Sequence, residues 1–412
     1  MNAISRYLDK QAFTSNLLLH PGDELALIVV IPCKSEPELG KTIFSLEKAA
    51  RGTEHQIEII IVLNDHDRDN DEIVQQNIKT KEWLQTASFQ LPVHILHLSK
   101  ITYKRAGVGY ARKKGMDEAI HRFNLINRPD GIICSMDADT LVSENYFREL
   151  IYAFKELKVD CLVIHFEHVL DGLLLHHRKA IVLYELHLRY YIEALRWAGF
   201  PHAYQTLGSA LAVTASAYAA QGGMPPKQAG EDFYFIQKFA KLNRVAELNS
   251  ITVYPSARIS DRVPFGTGKA IGDMINSGRE WGITYPLRAF TDLKMFLDSV
   301  DKLYTMQWQK VEMPESVFAF LNAIQFDKIQ IELQSNTSDY EHFLKRFFQK
   351  MDAFIMMKFI HFARDQFYGP DKVVASASEL LDLKYNLKIP GSDPEKLLEE
   401  YRAIQKNSNM VK

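Results

Sequence analysis

Hydrophobic positions change their spacing several times along the first 255 residues, and each change marks an element. Leu25–Pro32 (LALIVVIP) and Ile57–Asn64 (IEIIIVLN) are almost unbroken β-branched runs, which predicts strands buried on both faces. Between them, Glu38–Ala50 sets Leu39, Ile43 and Leu46 on one helical stripe. The alternation continues through a helix at Glu72–Thr86, a strand at Val93–Ser99 and a helix at Val108–Phe123. In that helix Ala111, Gly115 and Ala119 recur at close-packing spacing. A strand at Gly131–Asp139 follows, then a helix to about Leu157 that Ser143 is placed to cap. Next come a strand at Cys161–Glu167, a long helical stretch at Gly172–Ala198, a short strand near Ala210–Thr214 and a helix from Glu231 to about Leu242.

Apolar strands separated by helices predict a mostly parallel sheet covered on both faces, a doubly wound, Rossmann-like α/β domain. From about Ala289 the texture changes. Phe318–Gln325, Tyr340–Phe362 and Pro394–Gln405 read as amphipathic helices with no clear strands between them. The expected organisation is an N-terminal segment 1–24, an α/β domain 25–288 and an α-helical C-terminal region 289–412.

Composition narrows the classes. In 412 residues, 49 basic side chains nearly balance 51 acidic ones, which argues against a dedicated nucleic-acid binder. With 47% hydrophobic residues, wholesale disorder and a collagen repeat are excluded. The three cysteines, Cys33, Cys134 and Cys161, show no zinc spacing and suit buried thiols in a reduced compartment. The polar N-terminus lacks the apolar core of a signal peptide, and no apolar run approaches the roughly 20 residues of a membrane span. A soluble, cytoplasmic protein is expected, with peripheral membrane contact left open.

Open parallel sheets bind ligands beyond the carboxyl ends of their strands, and three such ends carry acids. They are Glu36 after the first strand, Asn64-Asp65-His66-Asp67 after the second, and Asp137-Ala138-Asp139 after the fourth. An extended backbone points Asp137 and Asp139 to one side, where two oxygen ligands suit a hard divalent cation bridging to a diphosphate. The plainer alternative is a pair of turn-forming acids. Lys100, Lys104, Arg105, Arg112 and Lys113, near the start of a helix, offer cations to a diphosphate. A solvated helical face is the better reading for Lys104 and Lys113. Gly107-Val108-Gly109 lacks the third glycine of a dinucleotide fingerprint and does not follow the first strand. Gly222-Gly223 and Gly230-Glu231-Asp232 form a glycine-rich approach to a helix whose first turn holds two acids; taken alone these are commonplace helix-start acids, but the dipole also favours an ionised carboxylate there, as a general base requires. His165, His168, His176, His177 and His187 match no metal-ligand spacing and are read as surface or cleft residues.

Taken in order, these residues resemble the inverting nucleotide-sugar glycosyltransferases of family 2, with the GT-A fold. The likeness covers about residues 25–255 and rests on Val29-Val30-Ile31-Pro32 with Glu36, Gly109-x-Ala111-Arg112-Lys113-x-Gly115, Met136-Asp137-Ala138-Asp139, and Gly222-Gly223 ahead of Gly230-Glu231-Asp232. The resemblance implies a nucleoside pocket lined by Pro32 and Glu36, with Asn64 or Asp65 near the base or ribose. It implies Asp137 near the ribose or sugar, Asp139 holding Mg²⁺ or Mn²⁺ against the diphosphate of a UDP- or GDP-sugar, and Arg105 or Arg112 holding the donor. Asp232 would be the catalytic base and Glu231 an acceptor contact.

The sequence departs from the family at Cys33-Lys34-Ser35-Glu36, where Tyr-Asn-Glu is usual, and at Asp65-His66-Asp67-Arg68. The Gln-x-x-Arg-Trp of processive synthases is replaced by Gln237-Lys238-Phe239-Ala240, so addition of a single sugar is expected, to a glycan, lipid or small molecule. Arg258, Asp261 and Arg262, in a loop running to Gly266 and Gly268, read either as a loop that closes over the diphosphate, with Asp261 a candidate third metal contact, or equally as an ordinary surface loop. Two other readings stand beside this one: a nucleotidyltransferase making sugar nucleotides, which lacks here the Gly-rich loop such enzymes carry after the first strand, and a non-catalytic carbohydrate- or partner-binding module. The Tyr184–Trp197 stretch reads either as an acceptor wall or, more simply, as a helix packed on the sheet.

Overall fold

A computed structural model describes residues 2–260, 266–276, 280–389 and 393–408. It divides into two compact units. The first is built from residues up to Asp171, from Thr206–Lys269 and from the segment beginning at Gln405; the second from Gly172–Gln205 and Ala270–Ile404.

The elements run α1 (Ala3–Lys10), β1 (Leu25–Cys33), α2 (Leu39–Ala49), β2 (Gln56–His66), α3 (Asp71–Thr86), β3 (Val93–Ile101), α4 (Val108–Leu125), β4 (Ile132–Ser135), β5 (Leu141–Val142), α5 (Tyr146–Leu157), β6 (Cys161–Phe166), α6 (Leu175–Trp197), β7 (Leu211–Thr214), α7 (Ala215–Ala220), α8 (Glu231–Ala240) and β8 (Val245–Tyr254). The eight strands form one sheet in the order β3-β2-β1-β4-β7-β6-β8-β5. β7 and β5 run against the rest, because β7 pairs antiparallel with β4 and β6 and β5 antiparallel with β8, while the other pairings are parallel. The sheet is therefore mostly parallel, as its apolar strands predict.

Every residue of β1 is buried, and its two faces serve different helices. Leu27, Val29 and Ile31 share a core with Leu39, Ile43 and Leu46 of α2 and Phe147 and Leu150 of α5. On the other face α4 lies so close that a Cβ on Gly115 would collide with Val30 and Val62, the physical meaning of the small-residue spacing in that helix. Pro32 is tolerated in this central strand because β1 pairs with β4 only up to Val30. Val30 O accepts from Met136 N (3.1 Å), so Pro32, two residues on, turns its missing N–H to the same side, past the end of β4.

Several local expectations are corrected. The fourth strand stops at Ser135, four residues early, because Asp137–Thr140 forms a turn closed by Thr140 N donating to Asp137 O (3.2 Å). Ser143 is not the cap of α5: Asn145 holds that position, and the Ser143 hydroxyl accepts from Thr252 N (3.1 Å). Elements without a clear periodic signal include α1, β5, α7 and the edge-side strand β8. The cysteines are buried and form no disulfide.

In the second unit α6 carries buried charge. Glu185 receives Arg189 from its own helix and Arg402 (2.7 Å), while Glu193 receives Arg196, Lys384 and Tyr385 (2.8, 2.8 and 3.0 Å). Tyr190 and Tyr191 pack on Phe290, so the aromatic stretch of α6 serves helix packing. The predicted helix Tyr340–Phe362 is broken into Tyr340–Lys350 and Ala353–Ala363 by Asp352, whose carboxylate accepts from Phe354 N and Ile355 N and starts the second helix. A two-residue ladder pairs Ile283–Thr284 with Asp371–Lys372 where no strand was expected. Among the described residues no helix is long and apolar enough to cross a membrane.

Replacing Gly115 with leucine is expected to cost about 1–3 kcal/mol or more through overpacking between α4 and the sheet. A lowered urea midpoint at unchanged slope would register it.

Candidate active site

Three sequence-distant segments converge on Arg112. Its guanidinium is almost fully buried; Nη1 donates to Glu231 at the start of α8, and Nη2 donates to Asp137 Oδ1 (2.6 Å) in the turn after β4. Gly208 covers the group closely enough that a Cβ there would lie 2.6 Å from Nη2. Burial disfavours the charged guanidinium, but Glu231, then Asp137 and Asp232, outweigh that loss and hold its pKa above the usual value.

The approach of α8 to α4 explains the glycines. A Cβ on Gly109 would sit 2.9 Å from Pro225 O and 3.0 Å from Glu231 Cβ, and one on Gly107 would meet the backbone of Gln228. Gly107-Val108-Gly109 thus makes room for the loop leading to α8. Gly230 precedes the helix with φ 72°, which only glycine adopts at little cost. Behind that loop, Asp117 of α4 accepts from Tyr7 (2.8 Å), Tyr218 (2.9 Å) and Lys113 (2.7 Å), and Lys238 donates to Gln221 O and Gly223 O (both 2.9 Å). Lys113 is therefore part of a mostly buried network and not a solvated helical face, because α1 packs over that side of α4.

Asp232, half-buried beside Glu231, has its pKa pushed up to about 7. Loss of hydration is the main cause and Glu231 the next; Arg112 and the Phe233 amide pull in the opposite direction. The helix-dipole expectation of a simply ionised carboxylate is therefore too simple, since lost solvent and like charge dominate at this site.

Asp137 and Asp139 stand in a turn and not in the extended strand end that was expected. The turn separates them, with Ala138 buried between and its carbonyl held by Thr42 Oγ1 of α2 (2.9 Å). Asp137 goes to Arg112, while Asp139 Oδ2 accepts from Arg258 Nη2 (2.8 Å). The same guanidinium grips buried Glu36 through both oxygens (Nη1 to Oε1, 2.7 Å), and Glu38 N also donates to Glu36 Oε1 (2.8 Å).

The remaining expected residues lie around this centre. Pro32 is buried at the end of β1. Asn64 is buried, its carbonyl accepting from Asn77 Nδ2 (3.0 Å), while Asn77 Oδ1 accepts from Ser35 N (2.8 Å); the amide thus ties the ends of β1 and β2. Asp65 faces β3, where Oδ1 accepts from Lys100 N (2.7 Å) and steadies a residue at φ 51°. Arg105 is exposed in the turn before α4. Asp261 and Arg262 lie outside the described residues. His165 and His168 belong to the first unit, and His176, His177 and His187 to the second. Among the described residues no three acidic, histidine or cysteine side chains gather as a metal cage. Two carboxylates of a turn nonetheless suit a hard cation, which commonly takes one or two protein oxygens and fills its shell from substrate phosphate and water. Sequence reasoning missed Gly208, Thr42 and the Asp117 network; only the small residue at 208 left a trace, and its meaning depends on what packs over it.

Comparison with known proteins follows from this geometry. Residues 28–211, a little under half of the chain, match the model described as Glycosyl transferase family 2. The resemblance carried by the strand-end motifs is thereby borne out over that stretch. No curated protein sequence matches the chain. Among solved structures, S. aureus TarS 1-349 in complex with UDP-GlcNAc is similar at TM-score 0.39 and 16% identity over 93% of this chain and 91% of that one. GalNAc-T7 with UDP, GalNAc and Mn²⁺ is similar at TM-score 0.39 and 13% identity over 82% of this chain and 58% of that one.

Replacing Arg112 with methionine strands Glu231 as a buried unpaired charge. The expected loss is about 3–5 kcal/mol, read by chemical denaturation, with R112M/E231Q recovering part of it.

Proposed function

We propose that the chain transfers a single sugar from a nucleoside-diphosphate sugar, with UDP or GDP as the nucleotide, to an acceptor hydroxyl with inversion. The observation that carries the reading is the Asp137–Arg112–Glu231 chain of contacts, which brings the turn after β4 and the start of α8 to one place beyond the carboxyl end of β4. In this reading Pro32 and Glu36 border the nucleoside, with Asn64 and Asp65 supporting the strand ends behind it. Asp139, with Asp137, holds Mg²⁺ or Mn²⁺; when bound, the ion neutralises diphosphate charge and so improves the leaving group.

Asp232 takes the proton of the acceptor hydroxyl as its oxygen attacks the anomeric carbon. The bond from that carbon to the diphosphate oxygen breaks on the opposite face, and the nucleoside diphosphate leaves with the electron pair. Arg112 does not meet the donor in this scheme: it fixes Asp137 and Glu231, and Glu231 in turn sets the electrostatics of Asp232. A carboxyl near pKa 7 is a stronger base than an ordinary aspartate yet is still substantially ionised at neutral pH. The buried cysteines, held as thiols, suit work in the cytoplasm.

The donor is read by thermal shift against UDP- and GDP-sugars with Mn²⁺, because a ligand that binds the folded state raises its melting temperature. Asp139→Ala is expected to abolish the metal-dependent part of that shift; an undiminished shift removes Asp139 from the metal role.

Asp232→Asn is expected to retain donor binding and lose transfer by roughly 10²-fold or more. The base acts deprotonated, so kcat/KM in the wild type should rise with pH through about 7 and level off above it. A profile flat from pH 5 to 9 argues against Asp232 as the base.

A further inference from the structure

Arg258 lies four residues beyond β8 and joins two acids of different character. Glu36 is buried and accepts from Arg258 at both oxygens, with a further amide from Glu38. Asp139 is more open and contributes one oxygen at 2.8 Å from Arg258 Nη2. The two grips are unequal: a bidentate pair in a dry setting is strong, and a single, partly solvated contact is weak. Arg258 is thus anchored on Glu36 and only leans on Asp139.

We propose that Arg258 is a latch on Asp139, competing with the divalent cation for that carboxylate until the donor arrives. The inference rests on the metal reading above and deepens it. A Mg²⁺-sized ion sits about 2.0–2.1 Å from its oxygen ligands, so an ion on Asp139 stands close to the guanidinium that already neutralises this carboxylate, and the two positive charges repel. Nothing in the latch requires Arg258 to leave Glu36: the donor's diphosphate offers its Nη2 a replacement acceptor while Glu36 keeps the group in place. Cation and nucleotide then favour each other, and the coupling is reciprocal. The latch also gives Glu36 a function that a nucleoside contact alone does not supply, because its carboxylate is the anchor that keeps the arginine at the site.

The test is Mn²⁺ affinity without nucleotide, followed by the electron paramagnetic resonance of free Mn²⁺, for wild type, Arg258→Lys, Arg258→Gln and Lys34→Gln. Lysine keeps the charge, and since one nitrogen of Arg258 already reaches both acids it can still pair with them, whereas glutamine removes the charge altogether. Lys34, paired with Asp69 at 2.6 Å near the end of β1, is the control for removing a neighbouring positive charge. Arg258→Gln is expected to bind Mn²⁺ roughly three- to tenfold more tightly than wild type, with Arg258→Lys falling between the two and Lys34→Gln unchanged. Melting curves verify that each variant is folded. Arg258→Gln equal to wild type, or Lys34→Gln shifting as far as Arg258→Gln, overturns the latch while leaving the metal reading intact. Failure of Mn²⁺ to bind any form even with UDP present overturns the metal reading and the latch with it.

Discussion

A guanidinium removed from water persists only where opposite charge is fixed around it, and Arg112 makes that demand at the centre of this protein. Glu231 and Asp137 meet it, and neither is near Arg112 in sequence. Meeting it decides much else. The loop before α8 must cross the start of α4, so residues 107 and 109 are glycines; the chain before β7 must cover the guanidinium, so residue 208 is one too. The Asp117 cluster secures the same loop from behind, with Tyr7, Tyr218 and Lys113 converging on one carboxylate of α4. The start of α8, where the proposed base stands, is thus held from two sides.

Among the described residues around this centre, the acids outnumber the arginines. Glu36, Asp137, Asp139, Glu231 and Asp232 are five carboxyls against the two guanidiniums of Arg112 and Arg258. With all of them ionised the local sum is three negative charges. The elevated pKa of Asp232 is one response to lost hydration and that surplus, since holding its proton removes a charge. In the proposed reading a divalent cation is another response, and it would also let a negatively charged diphosphate approach, so that base strength and cation binding share one electrostatic source. The chain's net charge of −2 conceals it, because the imbalance is confined to a few side chains.

The two arginines divide the labour by depth. Arg112 is sealed under Gly208 and works as a structural cation, joining two elements whatever else is bound. Arg258 stands where β8 releases the chain and keeps part of its surface in solvent, so its contact with Asp139 can be exchanged. The same side chain placed at two depths gives a rivet and a latch.

The amino-acid sequence by itself determined the strands and helices that bury continuous or periodic apolar faces, because hydrophobic spacing is a local property that survives any tertiary context. It also determined which acids stand near strand ends, and the family match over residues 28–211 agrees with that order. Weakly patterned elements were beyond its reach: α1, α7 and β8 owe their form to the packing and sheet pairing that receive them. Only the tertiary structure decided what the acids face. Asp137 and Asp139, two residues apart, go to different arginines because a turn divides them. Asp65 is spent on the β3 backbone, and Asp232 acquires its raised pKa from burial and from Glu231. The physical reason is common to all three. Charge and hydration depend on distance in space, and a linear sequence does not contain those distances until the sheet brings its strand ends together.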